Sequence, residues 1–110
     1  MRLPHSNNTL IPENKITDYL LNYSHAEGGS KAVFFGNFGF NNDNIADFAR
    51  ALLSIAKTGE VQKAEQNPFG MKYVIDGILQ TPDKRNPVIT TVWIIENDSE
   101  IPKLVTAYPK

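Results

Sequence analysis

At Gly59 the hydrophobic pattern of the chain changes period, and that change limits the folds open to its 110 residues. Upstream, Ile45, Phe48, Ala49, Leu52, Leu53 and Ala56 recur at i, i+3, i+4, i+7, i+8 and i+11. That spacing lines one face of an α-helix. Asn42 or Asp43 can cap its start, Asp47 suits its first turn, Lys57 its last, and Gly59 its stop. No polar residue interrupts the apolar side, so this helix is structural. Downstream the apolar residues alternate. Glu60–Glu65 is a thin strand. Met71–Leu79 sets Tyr73, Ile75 and Leu79 against Lys72, Val74, Asp76 and Ile78. Val88–Ile95 is β-branched with one Trp, the strongest strand. Ile101–Tyr108 is the last, closed by Pro109. Turns rich in Asn, Pro, Asp and Gly separate them at 67–70, 81–87 and 97–100.

Two shorter helices precede this half. Proline and glutamate at Pro12 and Glu13 favour a helix start, and Ile16, Tyr19, Leu20 and Tyr23 form one stripe. Gly28-Gly29 forces a turn, and Ser30 is a natural N-cap for a second helix opening at Lys31. Ala32, Val33, Phe34, Phe35 and Phe38 make that helix apolar nearly all round, as in a buried helix, and Gly36 and Gly39 break it. Residues 1–10 are polar and Asn-rich, a loose arm, and residues 11–110 form one domain. Short links between successive strands favour antiparallel neighbours. The expected fold is α+β, with three N-terminal helices packed on one face of a four-stranded antiparallel sheet.

Composition excludes several function classes. The chain has no cysteine, hence no disulfide, thiolate metal site or cysteine nucleophile, which suits a reducing, cytoplasmic setting. The N-terminus has no apolar leader core, and no apolar run approaches the ~20 residues that span a bilayer, so no membrane partner is expected. Net charge is −1, which argues against a large phosphate-tracking surface but leaves room for a small basic site. His5 and His25 lack the companions of a metal motif, and no carboxylate cluster stands ready for a cation. No cofactor and no metal are called for.

Two places can carry chemistry. In the first, His25, Gly28, Gly29, Ser30 and Lys31 surround a helix N-terminus. Free N–H groups and a partial positive charge there attract anions, glycines let a phosphate approach, and Lys31 can neutralise it. His25 can serve as general acid or base. The same residues also read as a plain connector, a cap and a solvated lysine. In the second, Thr91, Trp93, Thr106 and Tyr108 share the open face of the last two strands if Val92, Ile94, Val105 and Ala107 meet the helices. That patch can stack a base and hydrogen-bond a phosphate. Threonine and aromatic residues are also simply good strand formers.

The run Lys15-Ile16-Thr17-Asp18-Tyr19-Leu20-Leu21-Asn22, then His25, Gly28-Gly29, Lys31-Ala32, Phe34-Phe35 and Phe38-Gly39-Phe40, resembles a family of small bacterial domains of unknown function. Gly70-Met71-Lys72-Tyr73, Thr91-Val92-Trp93-Ile94 and Pro102–Pro109 carry the same resemblance. More loosely, the helix-turn-Lys-Ala-x-Phe-Phe segment and the sheet ending in Thr-x-Tyr are similar to the barnase/EndoU/colicin/RelE group of ribonuclease toxins. That similarity implies a metal-independent ribonuclease-like domain, a toxin or its inactive relative. Its catalytic residues would be His25, Lys31, Thr91, Thr106 and Tyr108, with Gly28, Gly29, Ser30 and Trp93 binding substrate. The implied partners are RNA and a cognate protein inhibitor or a second copy of the chain. The slight acidity of the chain departs from such toxins, which are usually basic. The alternative is a non-catalytic interaction module, docking through Ile89, Trp93 and Ile95 or through a strand edge.

Overall fold

The register of the sheet decides which residues the helices cover. In the computed structural model, which describes residues 1–110, β1 (Val61–Asn67), β2 (Gly70–Ile78), β3 (Val88–Glu96) and β4 (Lys103–Pro109) lie in the order β1-β2-β3-β4. Each is antiparallel to the next. Tyr73 stands opposite Trp93, which stands opposite Leu104; Ile75 stands opposite Thr91, which stands opposite Ala107. All six are buried, and this row is the core face. The other face carries Val74, Val92 and Thr106 in one row and Asp76, Thr90 and Tyr108 in the next.

This reverses the expected assignment of Thr91 and Trp93 to the open face. Trp93 is fully buried, and its indole Nε1–H donates to Thr91 Oγ1 at 2.8 Å. The Thr91 hydroxyl donates in turn to the Ile75 carbonyl at 2.8 Å. Threonine is therefore inside because the indole needs an acceptor there. The expected grouping of Val105 and Ala107 with Val92 and Ile94 also fails. The register shifts by one residue between Val92 and Trp93, leaving Val105 as the extra residue of a bulge.

α3 (Ile45–Thr58) lies on β2 and β3 through Phe48, Leu52 and Ile55, which are nearly or fully buried. Its N-cap is Asn44, not Asn42 or Asp43. The Asn44 side chain closes the preceding turn, accepting from Asn41 N–H at 2.8 Å and donating to the Gly39 carbonyl at 2.9 Å. α2 (Gly29–Asn37) starts two residues before the expected point, with Gly28 as N-cap. Ser30 thus sits inside the first turn and makes no capping hydrogen bond. Gly36 does not break α2. The Tyr23 hydroxyl occupies the space a Cβ would take there. The chain turns instead at Gly39, whose φ of +103° suits glycine. Phe35, Phe40 and Phe48 join the helices, with ring centroids 4.9 Å apart for Phe35–Phe48 and 4.5 Å for Phe40–Phe48.

The first helix is not one regular stripe. A short α-turn, α1 (Glu13–Lys15), runs into a π-turn at Ile16–Leu20, closed by Leu21 N–H donating to the Ile16 carbonyl at 2.8 Å. The wider turn keeps Ile16 and Leu20 in the core but rotates Tyr23 out to 64% exposure. The first ten residues lie against the body. Leu3 is buried, the Met1 carbonyl accepts from Val61 N–H, and Leu10 bridges Lys103 in parallel.

Thr91→Val keeps the shape of the side chain but strands the Trp93 N–H. It should cost about 1–3 kcal/mol, read as a lower urea midpoint at unchanged slope. Adding Trp93→Phe should make the penalty less than the sum of the two single changes.

Candidate functional site

A cavity of about 520 Å³ opens between α1 with its π-turn, the 22–28 loop and the β4 bulge. Asn14, Lys15, Asp18, Tyr19, His25, Glu27, Val105 and Thr106 line it. Tyr19 is its centre. The Tyr19 hydroxyl is 2.9 Å from Thr106 Oγ1, tying two residues 87 positions apart. Its ring meets the His25 ring edge-on, centroids 5.0 Å apart at 73°. Two ammonium groups approach the same ring, Lys15 Nζ at 5.6 Å and Lys31 Nζ at 5.4 Å from its centroid, within cation–π range. Lys31 Nζ also donates to the Glu27 carbonyl at 3.1 Å.

Local sequence explains the arrangement. Gly28 is required because a Cβ there would run into the Tyr19 carbonyl. Gly29 packs similarly close to the Tyr23 carbonyl. His25 then organises the turn. Its Nδ1 accepts from Glu27 N–H at 3.0 Å and Gly28 N–H at 2.9 Å. A nitrogen accepting two amides cannot carry a proton, so the neutral ring holds its proton on Nε2. Built this way, His25 is a hydrogen-bond donor at Nε2.

The structure thus gathers His25, Lys31 and Thr106 around Tyr19. It does not bring Thr91 or Trp93 to the cavity: both are fully buried beneath the helices. Ser30 is exposed on α2, and none of Gly28, Gly29, Ser30 and Lys31 lines the cavity itself, Lys31 reaching only the Tyr19 ring. Tyr108, 38% exposed, stands opposite Thr90 on the open sheet face. Beside it, Asp76 accepts from the Thr90 hydroxyl at 2.7 Å and pairs with Lys110 Nζ at 3.1 Å. Sequence reasoning missed Asn14, Lys15, Asp18, Tyr19 and Glu27. Lys15, Asp18 and Tyr19 fall three or four apart, as on one helical face, but Tyr19 was assigned to the core stripe. A second cavity, about 580 Å³, lies between α3 and the 80–86 loop. There Arg50 is already paired with Asp47 at 2.8 Å.

Residues 2–110 match the model of a domain of unknown function, DUF6883. The chain belongs to that family. No curated protein matches it. Among solved structures, it is similar to a chain of a contact-dependent growth inhibition toxin–immunity protein complex from Klebsiella pneumoniae 342. The TM-score is 0.73 at 13% identity, over 91% of this chain and 98% of that one. This is a likeness of fold, the α+β arrangement described above, and it extends over almost the whole DUF6883 domain.

The Asp76 network predicts an acid response. Burial pushes its carboxyl up, but the bonds from Thr90 and Lys110 and the Lys110 charge outweigh this and hold it below its ordinary value. A depressed carboxyl stabilises the fold above its unfolded pKa, about 3.9, and loses that contribution as pH falls through the folded value. Asp76→Asn should therefore lower thermal stability near neutrality and flatten its decline below about pH 4, measured by melting across a pH series.

Proposed function

We propose that this DUF6883 domain is a toxin-type domain that acts on RNA without a metal, at the cavity around Tyr19. The observation that carries the proposal is the meeting of Tyr19 and His25 from the N-terminal half with Thr106 from the last strand, with Lys31 Nζ 5.4 Å from the Tyr19 ring centroid. Lys15 and Lys31 supply the charge that a phosphodiester needs. Thr106, Tyr19 and the His25 Nε2–H supply donors for its oxygens. RNA brings its own nucleophile. The 2′-oxygen attacks phosphorus and the bond to the 5′-oxygen breaks, leaving a cyclic phosphate. Asp18 or Glu27, both lining the cavity, takes the 2′-OH proton, and solvent in the open cavity returns one to the leaving oxygen. Tyr108, two residues along β4 from Thr106, offers a ring to a base. The fold likeness to one chain of a toxin–immunity protein complex fits a toxin or the protein that binds it, and the cavity is what favours the toxin, with a protein inhibitor as partner.

A second reading rests on His25. Its Nδ1 accepts from two backbone amides, so the ring serves to hold the turn. On this reading the domain is an inactive relative that binds RNA without cutting it.

One experiment separates the two. The purified domain is incubated with total RNA in EDTA, and binding is measured in parallel by fluorescence anisotropy. Cleavage that Lys31→Ala and Thr106→Val each reduce by about 10²-fold supports the enzyme. Binding without cleavage, weakened by the same variants, supports the inactive relative. Neither binding nor cleavage by a folded protein overturns both.

A further inference from the structure

The two edges of the sheet are covered to different extents. On the β4 side, Leu10 pairs beside Pro102–Leu104, and the Tyr19 cavity abuts the bulge at Val105. On the β1 side, Met1 covers only Val61. From Gln62 to Gln66 every residue of β1 is exposed, including Ala64 and Gln66 on the helix side, because α3 reaches only β2 and β3. An open edge of this kind is a template for another strand.

The side chains along it are self-complementary. Lys63 and Glu65 stand on the same face, paired within the strand at 3.1 Å. About a two-fold axis through Ala64, an antiparallel copy of β1 places Lys63 opposite Glu65 of the second copy, and Glu65 opposite Lys63 of that copy. Gln62 is the extra residue of a bulge in β1, so the regular pairing is confined to Lys63–Glu65 and ends there. The four charges form a square of alternating sign, the arrangement that stabilises cross-strand pairs. Moving the axis to Lys63 sets lysine against lysine, and moving it to Glu65 sets glutamate against glutamate. The neighbouring two-fold registers are thus repelled.

We infer that the chain self-associates through antiparallel β1–β1 pairing centred on Ala64, joining two four-stranded sheets into one of eight strands. The occupant of the edge is a second copy, because the charge pattern is complementary to itself. A two-fold contact requires that property of a single patch. The interface is short, so the dimer is weak and salt-sensitive. Because the two α3 helices each leave β1 uncovered, both helical layers lie on the same side of the joined sheet without overlap.

The test uses the full chain, which has no cysteine of its own. At the axis, paired Cα atoms lie about 4.5–5.5 Å apart, inside the about 4.4–6.8 Å span of a disulfide. Ala64→Cys should therefore cross-link into a covalent dimer under mild oxidation. Gln66→Cys should not, because its two copies would lie roughly 14 Å apart in this register. In sedimentation at low salt, K63E and E65K should each weaken the native dimer by about tenfold or more. The doubly exchanged K63E/E65K chain should recover it. Circular dichroism confirms the fold of each variant. Three results would each overturn the inference: a native chain that stays monomeric up to millimolar concentration, equal cross-linking of both cysteine variants, or a folded double variant no better than the single ones.

Discussion

The indole N–H of Trp93 must find an acceptor inside the core, and the hydroxyl of Thr91 is the acceptor it finds. Much of the molecule follows from that bond. Once Trp93 and Thr91 point toward the helices, strict alternation sends Val92 and Thr90 to the other face. Pairing carries the choice across the sheet: Tyr73 and Ile75 in β2, Leu104 and Ala107 in β4, all come inward with them. Leu104 and Ala107 are three apart, an odd step that a regular strand cannot place on one face. The extra residue at Val105 resolves the mismatch. The bulge is therefore the structural consequence of satisfying a buried tryptophan on a strand whose neighbour offers inward residues at the wrong spacing. It also lies beside Thr106, the one β4 hydroxyl bonded to the Tyr19 cavity.

The cavity depends on a second irregularity, the π-turn at Ile16–Leu20. Widening the helix by one residue keeps Ile16 and Leu20 buried while leaving Tyr19 half-buried at the rim, where its hydroxyl reaches Thr106. π-turns inside helices recur at functional sites because they re-aim a side chain in this way. Gly28 lets the following loop approach the Tyr19 carbonyl, and the His25 ring then fastens that loop through two amides. Each wall of the cavity thus rests on a departure from regular structure.

These departures explain how much was legible in advance. α3 was legible because its apolar residues occupy one face and nothing else competes for them. The order of elements and the meander followed from the change of period at Gly59. The faces of β3 were not legible. Ile89, Trp93 and Ile95 on one side and Val88, Val92 and Ile94 on the other are equally apolar, so period two alone cannot choose between them. The tryptophan's need for an acceptor decides it, and that need is visible only once Ile75 and Thr91 are known to be neighbours. The His25–Lys31 turn was legible as a place, and Thr106 as a companion. Tyr19, which joins them, was hidden because its spacing with Ile16 and Leu20 fits a regular helix and gives no sign of a wider turn. The capping role of His25 left no trace in spacing either.

A chain of net charge −1 can still offer an anion a cationic site if its positive charges are held without being neutralised. Lys63, Lys103 and Lys110 are each within 4 Å of a carboxylate, at Glu65, Glu96 and Asp76. Lys15 and Lys31 have no such carboxylate partner. They are positioned instead by the face of Tyr19, and Lys31 also by a backbone carbonyl. A π face and a carbonyl dipole orient an ammonium while leaving its full charge in place, which a carboxylate does not. Lys15, Asp18 and Glu27 line the cavity and Lys31 stands beside it against the Tyr19 ring, so its border is mixed in charge rather than uniformly positive. On the proposed function, such a border suits one phosphodiester docked in a fixed place better than nucleic acid held along its length. The slight acidity of the chain is therefore compatible with the proposed function: what matters to it is how Lys15 and Lys31 are held, not how many lysines the chain contains.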